Sequence, residues 1–144
     1  VFAQAADILG EMAELCAREK VELLVENEAA CNVATCTELA GLMKLLPQKS
    51  VGINWDPLNG FDRGEEPYPM GYSLLPKKRI GNVQVKGRSL LDPEKKLDWA
   101  AIKQALQNDG YPGKIGLETH YFDGTMFEKS HLCMQELVRL MEPS

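Results

Sequence analysis

Four short apolar segments, each ending on a polar side chain, limit what this chain can fold into. Leu23-Leu24-Val25-Glu26 ends on a carboxylate, and Val51-Gly52-Ile53-Asn54-Trp55-Asp56 ends on another. Asn82-Val83-Gln84-Val85-Lys86 ends on polar groups, and Ile115-Gly116-Leu117-Glu118 ends on a third carboxylate. The polar positions Glu26, Asp56, Gln84 and Glu118 stand 30, 28 and 34 residues apart, about one strand-helix-strand unit each time. Pro57 has no amide hydrogen to donate to a ladder, so the second strand must stop there and leave Asp56 where strand passes into loop.

Helical patterns fill the intervals. Phe2, Ala5, Ala6, Leu9, Met12, Ala13 and Cys16 recur at three- and four-residue spacing and predict a helix over 2–19. After a strand over 21–26 and a loop over 27–32, Thr35 and Thr37 are candidate caps for a helix through Leu46, buried along Leu39, Leu42, Met43 and Leu46. A strand over 50–55 follows. The stretch 57–69 reads as irregular, with a short helix over 70–75, so the segment around Phe61 to Tyr72 is either a substrate-covering loop or a long connection. A strand over 79–86 leads into a loop over 87–93. A helix through Gln107 then starts at Asp98 or at Pro93-Glu94, and a strand over 114–118 follows. Asp123 is the expected cap of a last helix ending at Met141.

Alternation of strand and helix predicts an α/β fold with a parallel sheet. Within the strands, Ile53, Trp55, Val83, Val85, Ile115 and Leu117 point one way, while Asn54, Asp56, Asn82, Gln84, Lys86, Glu118 and His120 point the other. One face is apolar, as a helix-covered face must be, and the other is polar near the strand ends. That is the pattern of a barrel interior and its mouth. A doubly wound sheet is apolar on both faces and usually carries a glycine-rich phosphate loop, absent here. The expectation is half of a barrel: four parallel strands alternating with helices in one domain over 1–144.

The net charge of −5 argues against a general nucleic-acid surface. No apolar run approaches the roughly 20 residues of a bilayer crossing, and no signal peptide is visible. The chain opens at Val1 within a helical pattern, as a fragment or a processed chain would. Cys16, Cys31, Cys36 and Cys133 form no CxxC pair, which suits a reducing, cytoplasmic setting.

The segments Leu24-Val25-Glu26-Asn27, Trp55-Asp56-Pro57, Asn82-Val83-Gln84-Val85-Lys86, and Tyr111-Pro112-Gly113 leading to Leu117-Glu118-Thr119-His120 resemble the xylose isomerase-like sugar phosphate isomerase/epimerase superfamily. That superfamily also includes metal-dependent apurinic endonucleases. The resemblance covers strands five to eight of its eight-stranded barrel. It implies that Glu26, Asp56 and Glu118 bind a divalent metal, with Gln84 at a position usually held by histidine. Asn59, expected to contact substrate, stands where many members have a histidine three residues after the aspartate. Lys86 matches a lysine facing the substrate, and Glu26 and Glu118 double as acid/base groups. His120, on the face of Glu118, is either a substrate contact or a surface histidine.

The chemistry agrees with this set. Converging carboxylates repel unless a cation lies between them. Carboxylate and amide oxygens are hard ligands that suit Mn²⁺ or Mg²⁺ better than Zn²⁺. Gln84 either ligates or only hydrogen-bonds its neighbours. Glu28 reads as a loop charge, and Trp55 and Trp99 as core. Three functions remain open: a divalent-metal-dependent isomerase or epimerase of a small-molecule sugar, a metal-dependent endonuclease, and a half barrel that binds a sugar or partner without catalysis. The first is preferred. Two histidines and a negative charge disfavour the second. A lone half barrel is also expected to complete its ring with a missing N-terminal half or with a second copy of itself.

Overall fold

The computed structural model describes residues 1–142. Four parallel strands, β1 (Leu23–Glu26), β2 (Val51–Trp55), β3 (Ile80–Lys86) and β4 (Lys114–Glu118), lie side by side in sequence order. Between and around them run α1 (Phe2–Arg18), α2 (Cys36–Leu45), α3 (Pro57–Asp62), α4 (Tyr72–Leu74), α5 (Arg88–Leu91), α6 (Trp99–Asn108) and α7 (Met126–Met141). The expected alternation of four parallel strands with helices is therefore the observed architecture. No helix among the described residues is long and apolar enough to cross a membrane.

The alternating pattern decides which face carries the core. Val51, Ile53, Trp55, Val83 and Val85 are completely buried, together with Leu39, Leu42 and Met43 of α2 and Ile102 and Leu106 of α6. Trp55 is fixed on that side by stacking on Tyr72, 4.9 Å between ring centroids, and by donating from Nε1 to Cys36 Sγ at 3.2 Å. Trp99 is core as well, its Nε1 donating to Ser89 Oγ at 3.0 Å. The opposite face holds Glu26, Asn54, Asn82, Gln84 and Glu118, all only partly buried. A register shift between Ile53 and Asn54 inserts Gly81 as an extra residue, so Glu26, Asn54 and Asn82 fall level across three strands.

Several local expectations change. Thr35, and not Thr37, caps α2, in a reciprocal box with Glu38. The Thr37 amide and hydroxyl instead donate to Glu65 Oε1, and the Cys36 amide donates to Glu65 Oε2 at 2.6 Å. A carboxylate from the β2–β3 connection thus answers the free amides at the start of α2. The first six residues of the expected irregular stretch are α3, with Pro57 at its first position. The loop after β3 contains α5, and α6 starts at Asp98, whose carboxylate accepts from Ala101 N. The residue preceding α7 is Thr125; Asp123 accepts from the Thr125 amide and hydroxyl. The buried residues of α1 are Ala6, Gly10 and Ala13, while Met12 is exposed. Small residues let α1 lie close, since a Cβ on Gly10 would stand 3.1 Å from Gln48.

Candidate metal centre

Neighbouring strands are about 4.8 Å apart, so β1 and β4 would be separated by roughly 14 Å across a flat sheet. Yet oxygens of Glu26 (β1), Asp56 (just after β2) and Glu118 (β4) all lie within 4.8 Å of one another. The sheet is concave on its polar face, and the strand-end side chains converge there.

Asp56 is held by local chemistry. Its Oδ1 accepts from the amides of Leu58 and Asn59 at 2.9 and 3.2 Å and so caps α3. Its backbone is clamped by Asn27, completely buried, whose Oδ1 accepts from Asp56 N and whose Nδ2 donates to Asp56 O and Ala34 O. Asp56 Oδ2 is buried with no hydrogen-bond partner. Burial, above all, pushes the carboxyl from its usual range up to about 7, against the lowering influence of Lys86. Burial and then the like charge of Glu118 also raise Glu26.

Gln84 lies between the two glutamates. Its Nε2 donates to Glu26 Oε1 at 2.9 Å and to Glu118 Oε2 at 2.7 Å. Its oxygen accepts from Asn54 Nδ2 at 2.8 Å, and Asn54 Oδ1 in turn accepts from Asn82 Nδ2 at 2.7 Å. The amide oxygen therefore faces Asn54, and the amide hydrogens bridge the carboxylates.

Lys86, buried at the end of β3, donates to Asn59 Oδ1 at 2.7 Å and to Glu28 Oε2 at 3.0 Å. Its ammonium also stands 3.6 Å from Asp56 Oδ2 and 3.8 Å from Glu118 Oε2. Burial works against the ammonium, but the Glu28 hydrogen bond and the surrounding carboxylates outweigh it and raise the Lys86 pKa. Burial likewise acts to raise Glu28, and the Lys86 hydrogen bond and charge turn the net shift downward. Asn59 is almost wholly buried and donates to Asn27 O and Glu28 Oε2. His120 adopts a left-handed backbone at φ 56°, places Nε2 4.0 Å from Glu118 Oε1, and packs edge-on against Phe122. His131 is exposed on α7.

A divalent cation fits this geometry. Oxygens 4.8 Å apart or less can share an ion at the roughly 2.0–2.6 Å typical of Mg²⁺ and Ca²⁺ ligation after small side-chain adjustment. Asp56 Oδ2 accepts no hydrogen bond and has only the Lys86 ammonium beside it, at 3.6 Å. Surface cavities of 430 and 380 Å³ lie elsewhere, both lined by Lys96, Leu97 and Asp98. They contain none of the carboxylates, because an open half ring exposes its inner face and does not enclose it.

Over residues 1–141 the sequence matches the xylose isomerase-like TIM barrel family. The chain belongs to this family. No curated protein matches the sequence. Among solved structures, D-psicose 3-epimerase of Clostridium cellulolyticum H10, determined with D-tagatose, superposes with a TM-score of 0.75 at 13% identity, over 99% of this chain and 57% of that one. An L-ribulose 3-epimerase gives 0.71 at 18% identity, over 90% and 46%. A sugar phosphate isomerase/epimerase of Parabacteroides distasonis ATCC 8503 gives 0.71 at 18%, over 96% and 53%. This member of the xylose isomerase-like family thus spans about half the length of the structures it resembles. At these identities the likeness establishes the fold.

The raised carboxyls have a measurable consequence in metal-free protein. Between about pH 4 and 7 the folded state keeps a proton on Asp56 that the unfolded chain has released. The folded state then binds more protons, and stability falls as pH rises through that window. Glu26 shifts in the same direction. Melting in chelator is expected to occur at higher temperature at pH 5 than at pH 8, with a smaller difference in Asp56→Asn. Equal or greater stability at pH 8 would contradict the assignment.

Proposed function

We propose that this chain carries the metal-holding part of a sugar isomerase or epimerase that moves a proton between adjacent carbons of a hydroxy-carbonyl substrate. The observation that carries the reading is the buried Asp56 Oδ2, which accepts no hydrogen bond and is grouped within 4.8 Å of Glu26 and Glu118 oxygens. Glu26, Asp56 and Glu118 would hold the ion, with Mn²⁺ or Mg²⁺ matching their hard oxygens. A bound divalent ion supplies charge that polarises a carbonyl. Gln84 keeps the two glutamates together through its amide hydrogens, and a rotated amide would offer its oxygen as a further ligand. The structural relatives named as epimerases support a sugar substrate.

Glu26 and Glu118 reach the centre from the two edge strands, so they can address a bound substrate from different sides. In the proposed reaction one carboxylate takes the proton from a carbon beside the carbonyl. The other delivers a proton to the adjacent carbon in an isomerisation, where the hydroxyl proton passes to the former carbonyl oxygen, or to the opposite face of the same carbon in an epimerisation. Lys86, kept protonated by its neighbours, offsets negative charge developing on the substrate oxygen. His120 is placed to meet a substrate hydroxyl beside Glu118.

The test is exchange of the substrate α-hydrogen with deuterated water, measured across a panel of sugars on the assembled eight-stranded form. Glu26→Gln and Glu118→Gln are each expected to abolish exchange, and Lys86→Met to slow it. An assembled protein that binds metal but exchanges no sugar would overturn the isomerase reading. Lys86 also supports a second reading: its ammonium already lies near Asp56 and Glu118, as it would in a binding-only half barrel that needs no ion. Failure to bind Mn²⁺ would favour that reading.

A further inference from the structure

Glu28 lies two residues beyond the end of β1 and has been given no part in the reaction above. Its Oε2 accepts from Lys86 Nζ at 3.0 Å and from Asn59 Nδ2 at 3.2 Å, while Oε1 accepts from the Ala30 amide at 3.3 Å. Asn59 is oriented by donating to Asn27 O at 2.8 Å, which turns its Oδ1 toward Lys86 at 2.7 Å. The Lys86 side chain is 6% exposed, whereas that of Glu28 is 34% exposed. The ammonium is therefore gripped by two oxygens at 3.0 Å or less, one from the partly exposed Glu28 and one from the buried Asn59, and the carboxylates of Asp56 and Glu118 lie farther away, at 3.6 and 3.8 Å.

We propose that Glu28 is a positioning residue: with Asn59, it holds the Lys86 ammonium off the carboxylate cluster, leaving Asp56 and Glu118 to a divalent ion and keeping Lys86 at the rim of the site. The proposal rests on the metal-centre reading. Without Glu28, the strongest remaining attraction on the ammonium is that of Asp56 and Glu118, and a cation drawn onto those oxygens competes with a metal for them. Glu28 touches neither of these carboxylates; it acts through Lys86.

Two measurements test this, and the first needs no metal. In protein labelled with ¹⁵N-lysine and kept in chelator, a pinned and buried ammonium gives a slowly exchanging resonance, assigned by its loss in Lys86→Met. Glu28→Gln is expected to broaden or remove this resonance, and Glu28→Asp to restore part of it. A resonance unaltered in Glu28→Gln, or absent from the wild type, would overturn the pinning. The second measurement is Mn²⁺ affinity by calorimetry. Glu28→Gln is expected to weaken binding about tenfold, at the lower end of losses of outer-sphere partners, but less than about twofold in the Lys86→Met background. Such non-additivity is the mark of residues acting as one unit. Equal losses in both backgrounds would reduce Glu28 to a distant charge and overturn the proposal. If the wild type binds no Mn²⁺, the metal reading fails, and the lysine resonance alone decides whether Glu28 positions Lys86.

Discussion

Asp56→Asn is expected to weaken Mn²⁺ binding by more than the roughly 10–100-fold that loss of an outer-sphere partner costs, while Gln84→Ala lowers it about tenfold or less. Asparagine keeps an oxygen to cap α3, so the Leu58 and Asn59 amides retain an acceptor and the fold is spared. What disappears is the charge and the Oδ2 oxygen that accepts no hydrogen bond. Gln84 instead contributes amide hydrogens to Glu26 and Glu118, so its removal frees two side chains without taking a charge from the cluster. Gln84→His is expected to raise Zn²⁺ affinity, since an imidazole nitrogen beside three carboxylates suits zinc better than an amide does. Calorimetry on chelator-treated protein measures all three. Equal Mn²⁺ affinity in wild type and Asp56→Asn would remove Asp56 from the site.

The second large effect concerns assembly. Among the described residues β1 and β4 are each paired on one side only, and such edges invite pairing with another chain. The first and last helices add to this. Ile8, Met12 and Leu15 form an exposed stripe along α1, and Phe127, Met134 and Val138 form one along α7, each at the spacing of a single helical face. Apolar stripes of this kind mark contact surfaces. The chain by itself is therefore expected to associate in solution, with sedimentation giving masses above the 16.0 kDa of one copy and rising with concentration. Ile8→Glu combined with Met134→Glu should shift the distribution toward the monomer. A wild-type monomer at every concentration would overturn the expectation.

Much of this architecture was legible because two periods are distinct. Alternation separated Ile53, Trp55, Val83 and Val85 from Asn54, Asn82 and Gln84, and burial follows that division. The helical stripe Leu39, Leu42, Met43 and Leu46 is likewise buried throughout. The misses share a cause. Asp56-Pro57 reads as a break in sequence, although Asp followed by Pro is also a cap and first-turn pair, and it starts α3. The same two residues serve strand stop and helix start, and only the backbone after Pro57 separates them. Glu28 looked like a solvated loop charge because its partners, Lys86 and Asn59, are 58 and 31 residues away. The clamp by Asn27 has no local signal, since its bonds run to the backbone of Asp56, 29 residues on, and of Ala34.

Local pattern encodes the alternation of strand and helix, the polar and apolar faces of the sheet, and the placement of a carboxylate or amide at or near each strand end. These follow from local periodicity and from proline, whose effects act over a few residues. Tertiary structure decided the rest. Curvature brings side chains from β1 and β4 within hydrogen-bond reach of one Gln84 amide. The clamp of Asn27 and the cap of α3 leave one Asp56 oxygen hydrogen-bonded and the other without a hydrogen bond. Lys86 becomes a buried ammonium held by Glu28 and Asn59, from two distant parts of the chain. Such contacts depend on distances between residues far apart in sequence, which periodicity cannot encode and which packing of the helices against one face of the sheet establishes.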